Sequence, residues 1–413
     1  MPVALICVLA ATSLGAGQPL VPYSRLESGG DVWPLTVTAD GKNLLGAAKD
    51  GDHVNVVVWD TTARSRRFLV KGGVGVPLVA SADRQWAAGE ILTNFNLAGG
   101  EADAEVVVWD ISKGSTTSLF KLSKTAPLLS LPGWPVFPCR ALAFSHGSDV
   151  FACADGTTRK VHLWRRRAAA EWTVAGTLNA GAGRDVPKPT VMEVKFSRND
   201  KELLTFFPIT GPGEAEWVEA TERWDVGSGR RLDCGIQPVP VLAWFTGPFS
   251  HVLGDKIVCY EAPEGSLEGT VGLDIVSGKR KYGVPAPTEW ARLSPDGKTC
   301  GYPHCLLMRT GACPVTVGFW DFDDGSRSRT LELPAVGQDD FPVATFTADS
   351  RYFVCSAGDG GRTIFVIDAD KAKIRSSWAV GAQVRGLFPL DSGEIAAVGV
   401  EPKALLLYKV PAP

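Results

Sequence analysis

The chain lacks what would announce an enzyme from its sequence. In 413 residues there is no Gly-x-Ser-x-Gly nucleophile elbow, no His-Glu-x-x-His and no Gly-x-x-x-x-Gly-Lys phosphate loop. Its five histidines, His53, His146, His162, His251 and His304, are scattered, so no general base can be given a partner by spacing. No stretch of 18 or more apolar residues is present, and no membrane-spanning helix is expected. The net charge of −3 and the lack of an acidic tail offer nothing to nucleic acid.

Metal and disulfide signals are thin as well. Of the nine cysteines only Cys300, Cys305 and Cys313 lie close together, which excludes a dense disulfide framework. Their spacing with His304, C-x3-H-C-x7-C, fits no common zinc pattern, and adjacent His304 and Cys305 would point to opposite faces of a strand. A local bridge among the three remains open. Asp321–Ser326 has oxygen ligands around Gly325 but no distant bidentate Glu, so it reads as a turn before a calcium loop. Cys153, Cys300 and Cys355 recur at one repeat position and read as small packed hydrophobes. No metal, cofactor or catalytic residue is assigned.

What is present is a repeat. Glu105–Ile111, Glu-Val-Val-Val-Trp-Asp-Ile, returns at 56–61, 161–165, 222–226 and 317–322, with weaker copies at 271–275, 364–369 and 405–409. Three or four β-branched or aromatic residues in a row make a short strand, and an unbroken apolar run buries both of its faces. Upstream of each copy lie turns such as Asp40-Gly41-Lys42, Asn199-Asp200-Lys201 and Asp296-Gly297-Lys298 between apolar runs, a hairpin signal. Measured on the Trp position, the spacings are 50, 55, 60, 49, 47, 47 and 41 residues.

Four strands at that period are propeller blades. Seven complete blades are expected at 33–69, 76–120, 139–178, 190–232, 239–282, 288–331 and 341–378. The remainder, Gln383–Val410, has three strands, and the lone strand Leu20–Leu26 is the fourth it lacks. The fold class is therefore all-β, an eight-bladed β-propeller of four-stranded antiparallel blades closed by its N-terminal strand, with seven blades as the alternative. Ahead of it, the apolar run Val3–Leu14 and the small residues to Gly17 read as a signal peptide over 1–17, leaving 18–413 as one propeller domain that is secreted or periplasmic. The first basic residue comes only at Arg25, and a cytoplasmic protein with a buried strand or frayed tail there is the alternative.

The Trp-Asp strands and Asp-Gly-Lys turns resemble the WD-repeat β-propellers over 20–410. Such repeats typically carry a Gly-His dipeptide whose His joins a network with Ser/Thr, Trp and a loop Asp. None of the five histidines occupies that place, although Asp50, Asp155 and Asp359 could be loop acids. Ser294-Pro-Asp-Gly-Lys298 is also similar to TolB-like propellers.

Two faces differ in character. Sixteen of the 42 Lys and Arg residues follow the Trp-Asp strands, from Arg64 to Lys373. They read as a solvated ring neutralised by Asp40, Asp83, Asp200, Asp296 and Asp349, with an anionic dock as the alternative. The opposite face is expected to bear loops at 93–104, 123–138, 179–189, 208–220 and 303–314. Trp134, Phe137 and Trp217 stand among them as candidate partner-binding anchors, unless they fold back as plugs. The expected function is a non-catalytic protein-binding scaffold with a protein partner. The alternative is a propeller hydrolase or lyase with polar residues at the channel mouth.

Overall fold

The computed structural model describes residues 19–28, 32–50, 53–70, 74–96, 101–122, 141–155, 160–167, 171–182, 193–210, 217–236, 239–240, 250–253, 257–261, 270–284, 291–305, 313–336, 342–358, 360–401 and 404–411. They form strands in eight antiparallel sheets, seven with their first four strands in sequential order and the eighth with three C-terminal strands completed by the N-terminal one, and no helix is found among them. Blades one to eight cover 32–70, 74–122, 142–179, 193–240, 250–284, 292–336, 344–379 and 383–410. First strands of neighbouring blades approach one another around the central axis, so fourth strands form the rim.

The core explains why the Trp-Asp strand is apolar on both faces. Among the described residues there are eight hydrophobic clusters, one for each junction between neighbouring blades, and the last returns to the first. In blade one Val57 and Trp59 face blade eight while Val56 and Val58 face blade two. In blade two Val107 and Trp109 face blade one while Val106 and Val108 face blade three. The rule holds around the ring, and Ile367 and Tyr408, which replace Trp in blades seven and eight, still face the preceding blade. Each fully buried side chain of this kind is worth about 1.5–3 kcal/mol. Cys153, Cys300 and Cys355 are buried in three of these clusters, as small packed side chains should be. Burial pushes the Cys355 thiol well up.

Turn chemistry repeats as strictly as packing. In six blades a Ser or Thr ends the first strand, and its hydroxyl accepts the backbone amide five residues on, as in Thr38 with Asn43 (2.9 Å), Ser294 with Thr299 (2.9 Å) and Thr347 with Tyr352 (3.1 Å), while Leu390 holds the place in blade eight. The same hydroxyls donate to Asp40, Asp296 and Asp349 at 2.6–2.8 Å. Three residues after that position the chain is left-handed in seven blades, at Gly41, Arg84, Ser148, Asp200, Gly297, Ser350 and Gly393. Glycine meets this demand without strain, and the other four pay a small conformational cost.

The ring closes at the N-terminal strand. Ser24–Glu27 pairs antiparallel with Ala404–Val410, Leu26 opposite Leu405. The paired part is shorter than Leu20–Leu26, yet the segment reaches further. Leu20 donates its amide to Ala379 O of blade seven at 3.0 Å. Ser24 Oγ donates to Thr61 O of blade one at 2.8 Å, and Trp59 Nε1 donates to Glu27 O at 3.0 Å. One segment thus joins blades seven, eight and one.

Blade five departs from the expected bounds. Its first strand is Ser250–Leu253, not a strand starting at 239. Val239–Pro240 instead pairs with Val218 and Glu219 of blade four. The reason is that blade four's fourth strand, Arg231–Leu232, covers only Arg223 and Trp224, leaving the upper part of the third strand to be paired by the next extended residues.

Candidate functional site

On the face of the first-hairpin and Trp-Asp turns, charge is committed to holding the turns. In blades two, four and five the Asp that ends the third strand bends back onto its own turn: Asp110 Oδ1 accepts the Lys113 amide (2.9 Å), Asp225 the Ser228 amide (2.7 Å) and Asp274 the Ser277 amide (2.8 Å). Asp225 is held below the usual carboxylate range by the hydroxyl and amide of Ser228, and Asp274 by the amide and hydroxyl of Ser277. For Asp110 burial pulls upward, but the Lys113 amide and the Ser112 hydroxyl outweigh it.

Six of the basic-turn cations are ion-paired among the described residues, mostly with other acids than expected. Lys113 pairs with Asp110 (3.6 Å), Arg329 with Asp321 (3.7 Å), Lys371 with Asp368 (3.8 Å) and Arg231 with Glu222 (3.1 Å). Arg67 donates to Ile111 O at 3.0 Å. Of the five acids assigned to this task, Asp83 meets a basic-turn cation, Arg166 at 3.8 Å. Asp200 accepts the amides of His146 (2.7 Å) and Gly147 (2.6 Å) from blade three, and Asp40, Asp296 and Asp349 accept their own turn hydroxyls. For Lys113, Arg329 and Lys371 the anion is the Asp that ends the third strand, a few residues from the cation, whereas Arg231 and Arg166 reach acids elsewhere.

At the inner wall two blades add charge. Two residues before the turn hydroxyl stand Thr36, Val79, Ala143, Lys195, Arg292 and Thr345 in blades one, two, three, four, six and seven. Lys195 Nζ lies 2.6 Å from Glu193 Oε1, and the buried Glu193 carboxyl is raised by desolvation against that pairing. Its Oε2 has no hydrogen-bond partner among the described residues. Arg198, in the turn just beyond Lys195, spans blade five to donate to Pro295 O of blade six. These residues were missed by motif reading, and aligning the repeats on their turn hydroxyl would have exposed them.

The opposite face corrects three expected loops. Residues 93–96 and 101–104 continue the hairpin of Trp86–Asn96 and Glu101–Asp110, so the connection is 97–100. Residues 303–305 and 313–314 are likewise strand. In blade four Glu202–Thr210 and Trp217–Asp225 pair throughout, Pro208 opposite Glu219 and Thr210 opposite Trp217. Proline and glycine in these stretches suggested loops, but a cross-strand partner overrides that local preference. The result is a finger, laced on its other edge by Val239–Pro240, with Trp217 at its tip. Trp134 and Phe137 lie outside the described residues, so the structure places Trp217 alone of the three anchors.

Among the described residues no group of three or more His, Cys, Asp or Glu side chains could hold a metal ion. The Asp321–Ser326 stretch is an interstrand turn, with Gly325 N donating to Asp321 O at 2.8 Å.

No protein-family model and no curated protein matches the chain. Among solved structures it is similar to the Dos1 propeller, with a TM-score of 0.57 at 12% identity over 94% of this chain and 95% of that one. It is also similar to a eukaryotic initiation factor, with a TM-score of 0.51 at 12% identity over 93% of this chain and 87% of that one. The dihydro-heme d1 dehydrogenase NirN is a further likeness, with a TM-score of 0.47 at 14% identity over 95% and 79%. The likeness to the Dos1 propeller shows the propeller fold alone, and a fold does not by itself give a function.

Proposed function

We propose that this propeller is a protein-binding scaffold of degenerate WD-repeat type that takes its partner on the finger face. The observation that carries the reading is the blade-four finger, whose paired strands and third-strand lacing hold the backbone of Trp217 at the tip. A recognition residue on a rigid element loses less entropy on binding than one on a loop, and aromatic anchors dominate interface energetics. The WD-repeat part draws on Trp224 Nε1 donating to the buried Thr205 hydroxyl at 3.1 Å, one link of the network that such repeats share. Trp134 and Phe137, in the proline-rich stretch 123–138, are the companion anchors.

The test is capture of the partner from the native extract, with thermal melting measured alongside. The Trp134→Ala/Phe137→Ala and Trp217→Ala variants are expected to lose capture at unchanged melting. A large fall in melting with capture retained would make these aromatics plugs and end the reading. Export is part of the proposal, supported by the apolar run Val3–Leu14. N-terminal sequencing of native protein should begin near Gln18, and an intact Met1 or Pro2 in a cytosolic fraction would overturn it.

A second reading, a hydrolase or lyase at the channel mouth, is favoured by Glu193, a buried acid with raised pKa beside Lys195 on the inner wall. Turnover of generic ester or glycoside substrates that Glu193→Gln abolishes would support it. Turnover that the variant leaves intact would remove its basis.

A further inference from the structure

Outer strands of a propeller are sheet edges, and proteins blunt exposed edges with charge or proline. Seven of the eight here do so. Their fourth strands carry Arg66 and Arg67, Lys121, Arg231, Arg280 and Lys281, Arg329 with Pro334, Lys373 and Arg375, and in blade eight the N-terminal Arg25 and Glu27. Blade three is the exception. Trp172–Asn179, Trp-Thr-Val-Ala-Gly-Thr-Leu-Asn, has no charged residue and no proline. Val174 is 72% exposed, the highest value for a large hydrophobic side chain within any described strand. A Cβ added at Gly176 would meet nothing within 4 Å. No described strand pairs with this edge.

Charge lies at both ends of this neutral strand. At its start stand the exposed Arg165, in register with Thr173, and the exposed Arg167, with Glu171 beside them. Arg166 is turned away onto the Trp86 ring and Asp83. At its end a cleft of 300 Å³ is lined by Thr177, Asn179, Trp224 and Arg231. The Arg231 side chain is 52% exposed even while it pairs with the buried Glu222.

We infer that the outer edge of blade three takes an extended segment of another protein by strand addition, a segment neutral in its middle and acidic at its ends. Backbone amides and carbonyls of the edge supply the affinity, as in other β-augmented complexes, and the flanking guanidiniums select the carboxylates. A second copy of this chain fits poorly. Antiparallel pairing of the strand with itself would set Arg231 of each copy against Arg165 and Arg167 of the other, cation on cation. This surface is separate from the finger face, so the two proposals stand or fall apart.

The probe is a labelled, end-blocked peptide, Asp-Thr-Val-Thr-Val-Thr-Val-Asp, against a control with Lys at both ends, titrated into the full chain. The acidic peptide should bind at least tenfold more tightly than the control and slow hydrogen exchange at 172–179. Val174→Asp/Thr177→Asp, two exposed positions, should weaken binding at least tenfold with melting unchanged, while Trp217→Ala should bind the peptide as wild type does. Equal or absent binding of the two peptides, a double variant that binds normally, or loss of binding in Trp217→Ala would overturn the inference. A chain that dimerises alone, with the dimer lost in the double variant, would also overturn it by giving the edge to a second copy.

Discussion

The two ends of the same strands are built differently. At the turn end, most described blades repeat one hydroxyl, one carboxylate or amide and one left-handed residue, and cations such as Lys113 and Lys371 meet acids a few residues away. At the finger end the described hairpins vary in length, only blades one and eight sharing a two-residue connection. Blade one closes Asn43–Asp50 onto His53–Asp60, blade two runs to Asn96 before returning at Glu101, and blade four recruits a third strand. Closely related turns from blade to blade are what folding favours, because each turn solves the same backbone problem. Variation at the other end is tolerated because register is already set by the packed halves of the strands, and recognition collects where sequence can vary.

The comparison breaks most sharply at the ring closure. Deleting residues 18–28 removes the fully buried Leu26, the bond from Trp59 to Glu27 O and the strand covering Ala404–Val410. Loss of Leu26 packing alone costs about 2–5 kcal/mol. The variant should melt about 5 °C or more below wild type or aggregate through the exposed edge. A monomer that melts like wild type would refute closure by this strand. Next, Ser294→Ala or Thr347→Ala removes a hydroxyl that serves both an amide and a carboxylate. Each should cost about 1 kcal/mol in denaturant unfolding. No measurable cost would mean that the repeated turns are held by backbone geometry alone.

Acid should also tell the ends apart. Asp225 and Asp274 are held below the usual range by hydrogen bonds to Ser228 and Ser277. A carboxylate with a depressed folded pKa adds stability above its unfolded pKa of about 4, and that stability disappears as pH falls through the folded value. Melting temperature should therefore hold near neutrality and drop below about pH 4, with hydrogen exchange opening the turn amides first. A profile flat down to pH 2 would contradict the role given to these acids. The smallest effect on stability is expected at the finger tip. Trp217→Ala should change unfolding by less than about 0.5 kcal/mol, the range of surface substitutions. A larger loss would place this residue among the packed halves and erase the distinction.

The blade count was readable because each Trp-Asp strand must bury two faces between two neighbours, which writes the same apolar run eight times. The left-handed backbone at Arg84, Ser148, Asp200 and Ser350 was less legible than the turns that contain it, such as Asn199-Asp200-Lys201. These four residues adopt the conformation that glycine would have announced, and only the recurring hydrogen bonds impose it. The fingers were hidden for a related reason, since Pro208 and its neighbours look like loop until a partner strand is placed beside them.

Sequence by itself determined the propeller, its eight blades and the strand that closes it, because those follow from local periodicity and from one unpaired edge. Tertiary structure alone decided that Arg166 meets Asp83 of blade two, that Arg198 of blade four reaches Pro295 of blade six, and that Val239–Pro240 belongs to blade four. It also decided that the uncharged strand 172–179 is an outer edge. Those are pairings between residues far apart in the chain or choices among equivalent neighbours, and distance in space, which periodicity does not encode, settles them.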